Sequence, residues 1–138
     1  MFNSTNFLSQ YDSLKATSLK SRVLSNSDIE PLLSLLSDTF HVSTLGHSEI
    51  GLPIHGVKIG SGPKRILLWS QMHGNESTTT KALFDLFNYL KLEDFNAFLG
   101  TCTLFIIPIL NPDGAKAYTR LNANKVDLNR DAINRSQK

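Results

Sequence analysis

The order of three adjoining segments limits the fold more than any other feature. Ile66 to Trp69 is a short β-type run, Ser77 to Leu90 carries Ala82, Leu83, Leu86, Phe87 and Leu90 at helical spacing, and Thr103 to Ile109 is continuously apolar. The last run, bounded by Gly100 and Pro112, reads as a strand buried on both faces. Strand, helix and buried strand in that order make a βαβ unit. Two more β-type runs, Phe40 to Leu45 and Ile54 to Ile59, are set off by turn signals at Gly46, Gly51, Pro53, Gly60, Gly62 and Pro63. The expected class is therefore α/β, with a mixed, partly parallel sheet flanked by helices. In such a sheet the chemistry belongs at the carboxyl ends of the strands.

The first forty residues read as helical. Leu14, Leu19 and Val23 give a weak apolar stripe, and a better helix follows Ser27. Ser27 and Glu30 have capping-box spacing, Pro31 is expected in the first turn, and Leu32, Leu33, Leu35 and Leu36 are expected to form the buried face. This divides the chain into a helical segment, 1–39, and a part carrying the chemistry, 40–138.

Composition excludes several classes. A chain of 138 residues, 41% hydrophobic, can bury one core. Its 14 basic and 12 acidic residues are scattered, with no like-charge block longer than Lys64–Arg65, so neither nucleic acid nor a membrane surface is expected as a partner. The single cysteine, Cys102, cannot form an intrachain disulfide, and its apolar setting marks it as core. Polar residues interrupt Met1 to Arg22 throughout, which does not suit a secretory signal, and a cytoplasmic location is expected. No apolar run is long enough to cross a bilayer as a helix.

Two polar clusters fall at expected strand ends: Gln71 to Glu76 (QMHGNE) and Asn111 to Gly114 (NPDG). His73 and Glu76, three positions apart, offer an imidazole nitrogen and a carboxylate that can converge on one cation such as zinc. Gly74 and Asn75 allow a tight turn between strand and helix. Alone, the same string also suits a surface histidine followed by an ordinary first-turn acid. Downstream, Arg120 to Asp131 combines arginines, amides and acids, the materials of a carboxylate clamp or an oxyanion donor, though a solvated loop has the same composition.

In this order His73-Gly74-Asn75-Glu76, the NPDG turn and Val126-Asp127-Leu128-Asn129-Arg130 resemble the zinc carboxypeptidases, the M14 metallopeptidases, over roughly residues 40–135. The resemblance implies that residues 40–138 are the N-terminal portion of a zinc carboxypeptidase-like catalytic domain. It implies zinc as cofactor, His73 and Glu76 as its ligands, and Asp127 as the carboxylate that orients His73. Arg120 matches the catalytic arginine that polarises the scissile carbonyl, and Asn129 with Arg130 the pair gripping the substrate's C-terminal carboxylate. The implied reaction is attack on that carbonyl by a metal-activated water, with a glutamate as general base.

Lys125 departs from the family, standing where many members have glycine. More consequentially, the family's third zinc ligand, a histidine, and its general-base glutamate come from a later part of the domain. The 138-residue chain alone is therefore expected to be inactive, to expose an apolar sheet edge and to risk aggregation. The substrate would be a peptide with a free carboxylate. An acyl-amino acid is the alternative, since amidohydrolases of the succinylglutamate desuccinylase and aspartoacylase type have a similar motif. A carboxylate-binding remnant without catalysis is a third reading.

Overall fold

The computed structural model describes residues 4–92 and 95–131. Residues 1–3 of the N-terminal helical segment, and 93–94 and 132–138 of the second part, lie outside the described residues. Helices α1 (Ser4–Leu14) and α2 (Asn26–Leu36) precede strands β1 (His41–His47), β2 (Pro53–Ile59) and β3 (Lys64–Trp69). Then come α3 (Thr78–Leu90), α4 (Asn96–Thr101), β4 (Cys102–Ile107), α5 (Pro112–Ala117) and a single 3-10 turn, Leu128–Arg130. The sheet order is β1-β2-β4-β3. β1 and β2 form an antiparallel hairpin, β4 runs antiparallel to β2, and β3 and β4 are the parallel pair of the expected βαβ unit.

The register explains the core. Val57 lies opposite Ile106 and Ile59 opposite Leu104, so both pairs share one face. That face meets Ile29, Leu33 and Leu36 of α2 and Phe84, Phe87 and Leu90 of α3 in a single apolar cluster that also holds Cys102. α1 is tied to α3 by polar contacts: Tyr11 Oη donates to Asp85 Oδ2 at 3.4 Å and Asn88 Nδ2 donates to the Leu14 carbonyl at 2.8 Å.

The second sheet face is less covered. Leu67 is paired in register with Phe105 and both are exposed, as is Trp69 at the end of β3. Phe105 therefore corrects the reading of its run as buried on both faces. Among the described residues β3 pairs on one side only, leaving the free apolar edge expected from the sequence.

The N-terminal segment differs from expectation in phase. The cap of α2 is Ser25, whose backbone N–H donates to Asp28 Oδ2 at 2.8 Å, and not Ser27 with Glu30. Both serines precede an acid by three residues, and burial of Ile29 and Leu33 selects the earlier start. Pro31 consequently falls in the second turn, where it removes the bond to the exposed Ser27 carbonyl. Leu35 is 65% exposed instead of buried, and Ile29 takes its place in the core. Residues 15–25 are irregular: Leu19 is buried but Val23 is exposed.

Candidate active site

The loops following the two parallel strands are zipped together. The Leu110 and Asn111 amides donate to the Ser70 and Gln71 carbonyls at 3.0 and 3.2 Å, prolonging the strand pairing into the QMHGNE and NPDG segments. Asn111 caps α5 by accepting from the Gly114 amide at 2.9 Å and donates through Nδ2 to the Met72 carbonyl at 3.2 Å. Buried Asp113 accepts from Ser48 Oγ in the β1–β2 turn. NPDG thus serves as an anchor for the loop that carries His73.

Gly74 is needed for close approach, since its backbone φ is ordinary. A Cβ there would lie 1.9 Å from the Gly114 carbonyl carbon and 2.1 Å from the Ala115 nitrogen. His73 and Glu76 both precede α3, whose cap is Ser77, so Glu76 lies just outside the helix and not in its first turn.

Four charged or titratable side chains meet beyond this loop. His73 Nε2 lies 3.1 Å from Asp127 Oδ1, and His73 Nδ1 lies 3.3 Å from Glu76 Oε1. Arg120 Nε donates to Asp127 Oδ2 at 2.9 Å and its Nη1 to Glu76 Oε1 at 3.3 Å. The Arg120 guanidinium holds the Asp127 carboxyl well below its ordinary 3.8, at about 2, with His73 and the Asn129 amide contributing. A depressed carboxyl pKa stabilises the fold fully above 3.8, and that contribution is lost as pH falls from there through about 2. An ionised Asp127 can only accept, so His73 Nε2 donates to it, and Nδ1 is the ring nitrogen that faces Glu76.

That pair fits zinc. Tetrahedral zinc with bonds of about 2.0–2.1 Å holds adjacent ligand atoms about 3.3 Å apart, and Nδ1 and Oε1 are separated by 3.3 Å. Among the described residues no group of three His, Cys, Asp or Glu side chains could hold a metal ion, so they supply a pair of donors and not a full set. The other histidines stand apart: His41 and His47 are exposed on β1, and His55 pairs with Glu30 at 3.2 Å.

Asn129 and Arg130 follow Asp127 on the 3-10 turn and are both exposed. The Asn129 amide donates to Asp127 Oδ1 at 3.0 Å, while Arg130 Nη1 donates back to the Asn129 carbonyl at 3.1 Å. The structure therefore joins His73, Glu76, Asp127 and Arg120 directly, and Asn129 and Arg130 only through the backbone beside Asp127. Beside His73 and Glu76 is a cavity of about 460 Å³ whose lining includes Arg22, Trp69 and Asn75. Arg22 and Trp69 escape a sequence reading, since neither lies in a polar cluster.

Lys125 adopts the left-handed conformation, φ +61°. It closes a turn in which its amide donates to the Asn122 carbonyl at 3.0 Å while the Asn122 amide donates to the Val126 carbonyl at 3.0 Å. A turn followed by a left-handed residue is a bulged arrangement that favours glycine. A side chain costs about 1–2 kcal/mol in this conformation, partly offset by glycine's greater freedom when unfolded, about 0.5–1 kcal/mol. Lys125→Gly is expected to stabilise the protein by about 0.5–1 kcal/mol, read as a higher urea midpoint. An unchanged or lower midpoint contradicts this.

The chain is similar to known proteins in sequence and in fold. Carboxypeptidase SOL1 of Arabidopsis thaliana is 30% identical over 123 residues, covering 78% of this chain and 25% of its own length. A metallo-carboxypeptidase from Burkholderia cenocepacia superposes with a TM-score of 0.72 at 21% identity, over 80% of this chain and 33% of that one. The metallo-carboxypeptidase of Pseudomonas aeruginosa, solved with (2-guanidinoethylmercapto)succinic acid, gives 0.72 at 25% identity, covering 80% and 32%. The chain thus spans about a quarter of the curated relative and a third of these structures. The zinc carboxypeptidase (M14 peptidase) family matches residues 26–136. With that match covering most of the sequence, and the fold shared with solved metallo-carboxypeptidases, this chain belongs to the zinc carboxypeptidase family.

Proposed function

We propose that the complete protein is a zinc-dependent metallocarboxypeptidase that hydrolyses C-terminal peptide bonds, to which this chain contributes two metal ligands and the substrate-carboxylate clamp. The observation that carries the reading is the convergence of His73 Nδ1 and Glu76 Oε1 at 3.3 Å while Nε2 is committed to Asp127. Zinc, when bound, supplies a Lewis acid and lowers the pKa of coordinated water.

The chain's own residues do the rest. Asp127 fixes the tautomer and ring orientation of His73 and raises its basicity. Arg120, held through Nε by Asp127 and lying beside Glu76, would present its guanidinium to the substrate carbonyl and stabilise the developing oxyanion. Exposed Arg130 with Asn129 takes the terminal carboxylate, a planar anion suited to guanidinium and amide donors. The succinic acid compound bound by the Pseudomonas aeruginosa enzyme has the same carboxylate chemistry. A general base and a third ligand would have to come from outside the described residues, which hold a pair of donors and not a set of three.

Zinc content and release of C-terminal residues test the reading in the complete protein. Peptides with a free C-terminus should be cleaved at least about 100-fold better than the same peptides amidated, because amidation leaves the clamp unpaired. Equal cleavage of the two, or preferential hydrolysis of N-acyl amino acids, would overturn the carboxypeptidase assignment.

A further inference from the structure

We propose, resting on the reading of His73 and Glu76 as metal ligands, that Gln71 is a positioning residue whose buried side-chain amide holds the metal-ligand loop in place. Gln71 is 3% exposed and left-handed, φ +49°, two residues before His73. Glutamine is a costly occupant of that conformation, so its retention there needs a compensating interaction. The side chain supplies one. Nε2 donates to the Leu24 carbonyl at 2.7 Å and to the Gly74 carbonyl at 2.8 Å, and Oε1 accepts from Thr80 Oγ1 at 2.7 Å.

Three parts of the chain therefore converge on one amide: the segment entering α2, the first turns of α3, and the loop between His73 and Glu76. The orientation has no alternative, because flipping the amide would set its oxygen against two carbonyls that can only accept. Thr80 is fully buried and is held in turn by Ser70 Oγ at 2.9 Å. The Gly74 carbonyl belongs to the residue following His73, so the tether acts on the backbone that sets the imidazole's position. Its effect on the metal is through His73 and Glu76, which it orients.

The test separates this tether from the backbone conformation. Gln71→Gly removes the φ cost together with the amide; Thr80→Val removes the hydroxyl that donates to Gln71, with its contacts to Ser70 and Pro108, and leaves the sequence of the loop unchanged. In the complete protein, zinc affinity is measured by competition with a chromophoric chelator, and ligand geometry by the visible spectrum of the cobalt-substituted protein. Both variants should weaken zinc by about tenfold or more and alter the cobalt spectrum, with Thr80→Ser restoring both. If Gln71→Gly and Thr80→Val match wild type in affinity and spectrum while His73→Ala loses zinc, the proposal fails and the metal reading stands. If His73→Ala binds zinc as wild type does, both fail.

Discussion

On the proposed reading of Glu76 as a metal ligand, Glu76→Gln in the complete protein should lower zinc affinity and peptide hydrolysis together by more than about 100-fold, since losing merely an outer partner of a ligand costs about 10–100-fold. The substitution leaves the side chain's shape almost unchanged but removes the charge that pairs with Arg120 and that the proposed ligand role requires. Glu76 is exposed and supports no part of the core, so the unfolding midpoint of the metal-free protein should move little. Asp127→Asn should have a smaller effect on affinity, about 10–100-fold, because it disturbs the orientation and tautomer of His73 and leaves the ligand in place. A Glu76→Gln protein that binds zinc with wild-type affinity would remove Glu76 from the ligand set.

Gly74→Ala should destabilise the protein by about 3 kcal/mol or more, at the upper end for overpacking. The added carbon would lie 1.9 Å from the Gly114 carbonyl carbon and 2.3 Å from its oxygen, and both obstacles are backbone. Neither side yields easily. The Gly114 side is held by Asn111 and by buried Asp113 on Ser48, and the Gly74 side by the Gln71 amide. Whatever moves displaces His73, so zinc affinity should fall along with stability. Gly100→Ala is the control: nothing lies within 4 Å of its Cβ position, and its stability, read by urea unfolding, should stay within about 0.5 kcal/mol of wild type. If Gly74→Ala behaves like that control, the packing of the QMHGNE loop against α5 is wrong.

Much of this was legible along the chain because the relevant signals are local. The apolar period of Ser77 to Leu90 and the uniform run at Thr103 to Ile109 specify a helix and a buried strand through neighbours a few residues apart, and the βαβ order follows from them. The pairing of an imidazole with a carboxylate was legible in the same way, in His73 and Glu76 three positions apart, and the structure sets their side chains 3.3 Å from each other. Where two local solutions were equivalent, sequence could not choose. Ser25 with Asp28 and Ser27 with Glu30 have the same capping spacing, and only burial of Ile29 and Leu33 against the sheet decides between them.

Other features depend on atoms far apart in the chain. That Gly74 must lack a side chain is a consequence of Gly114 lying against it. That His73 Nε2 donates follows from Asp127, 54 positions later, held ionised by Arg120. Gln71 looks like one more polar residue in its cluster until Leu24 and Thr80 arrive at its amide. The sequence by itself determined the strands and helix of the βαβ unit and the polar residue types at its strand ends, because propensity, periodicity and composition belong to short stretches. Tertiary structure alone decided close approach, proton placement and loop tethering, because each is set by a distance between segments that no local pattern encodes.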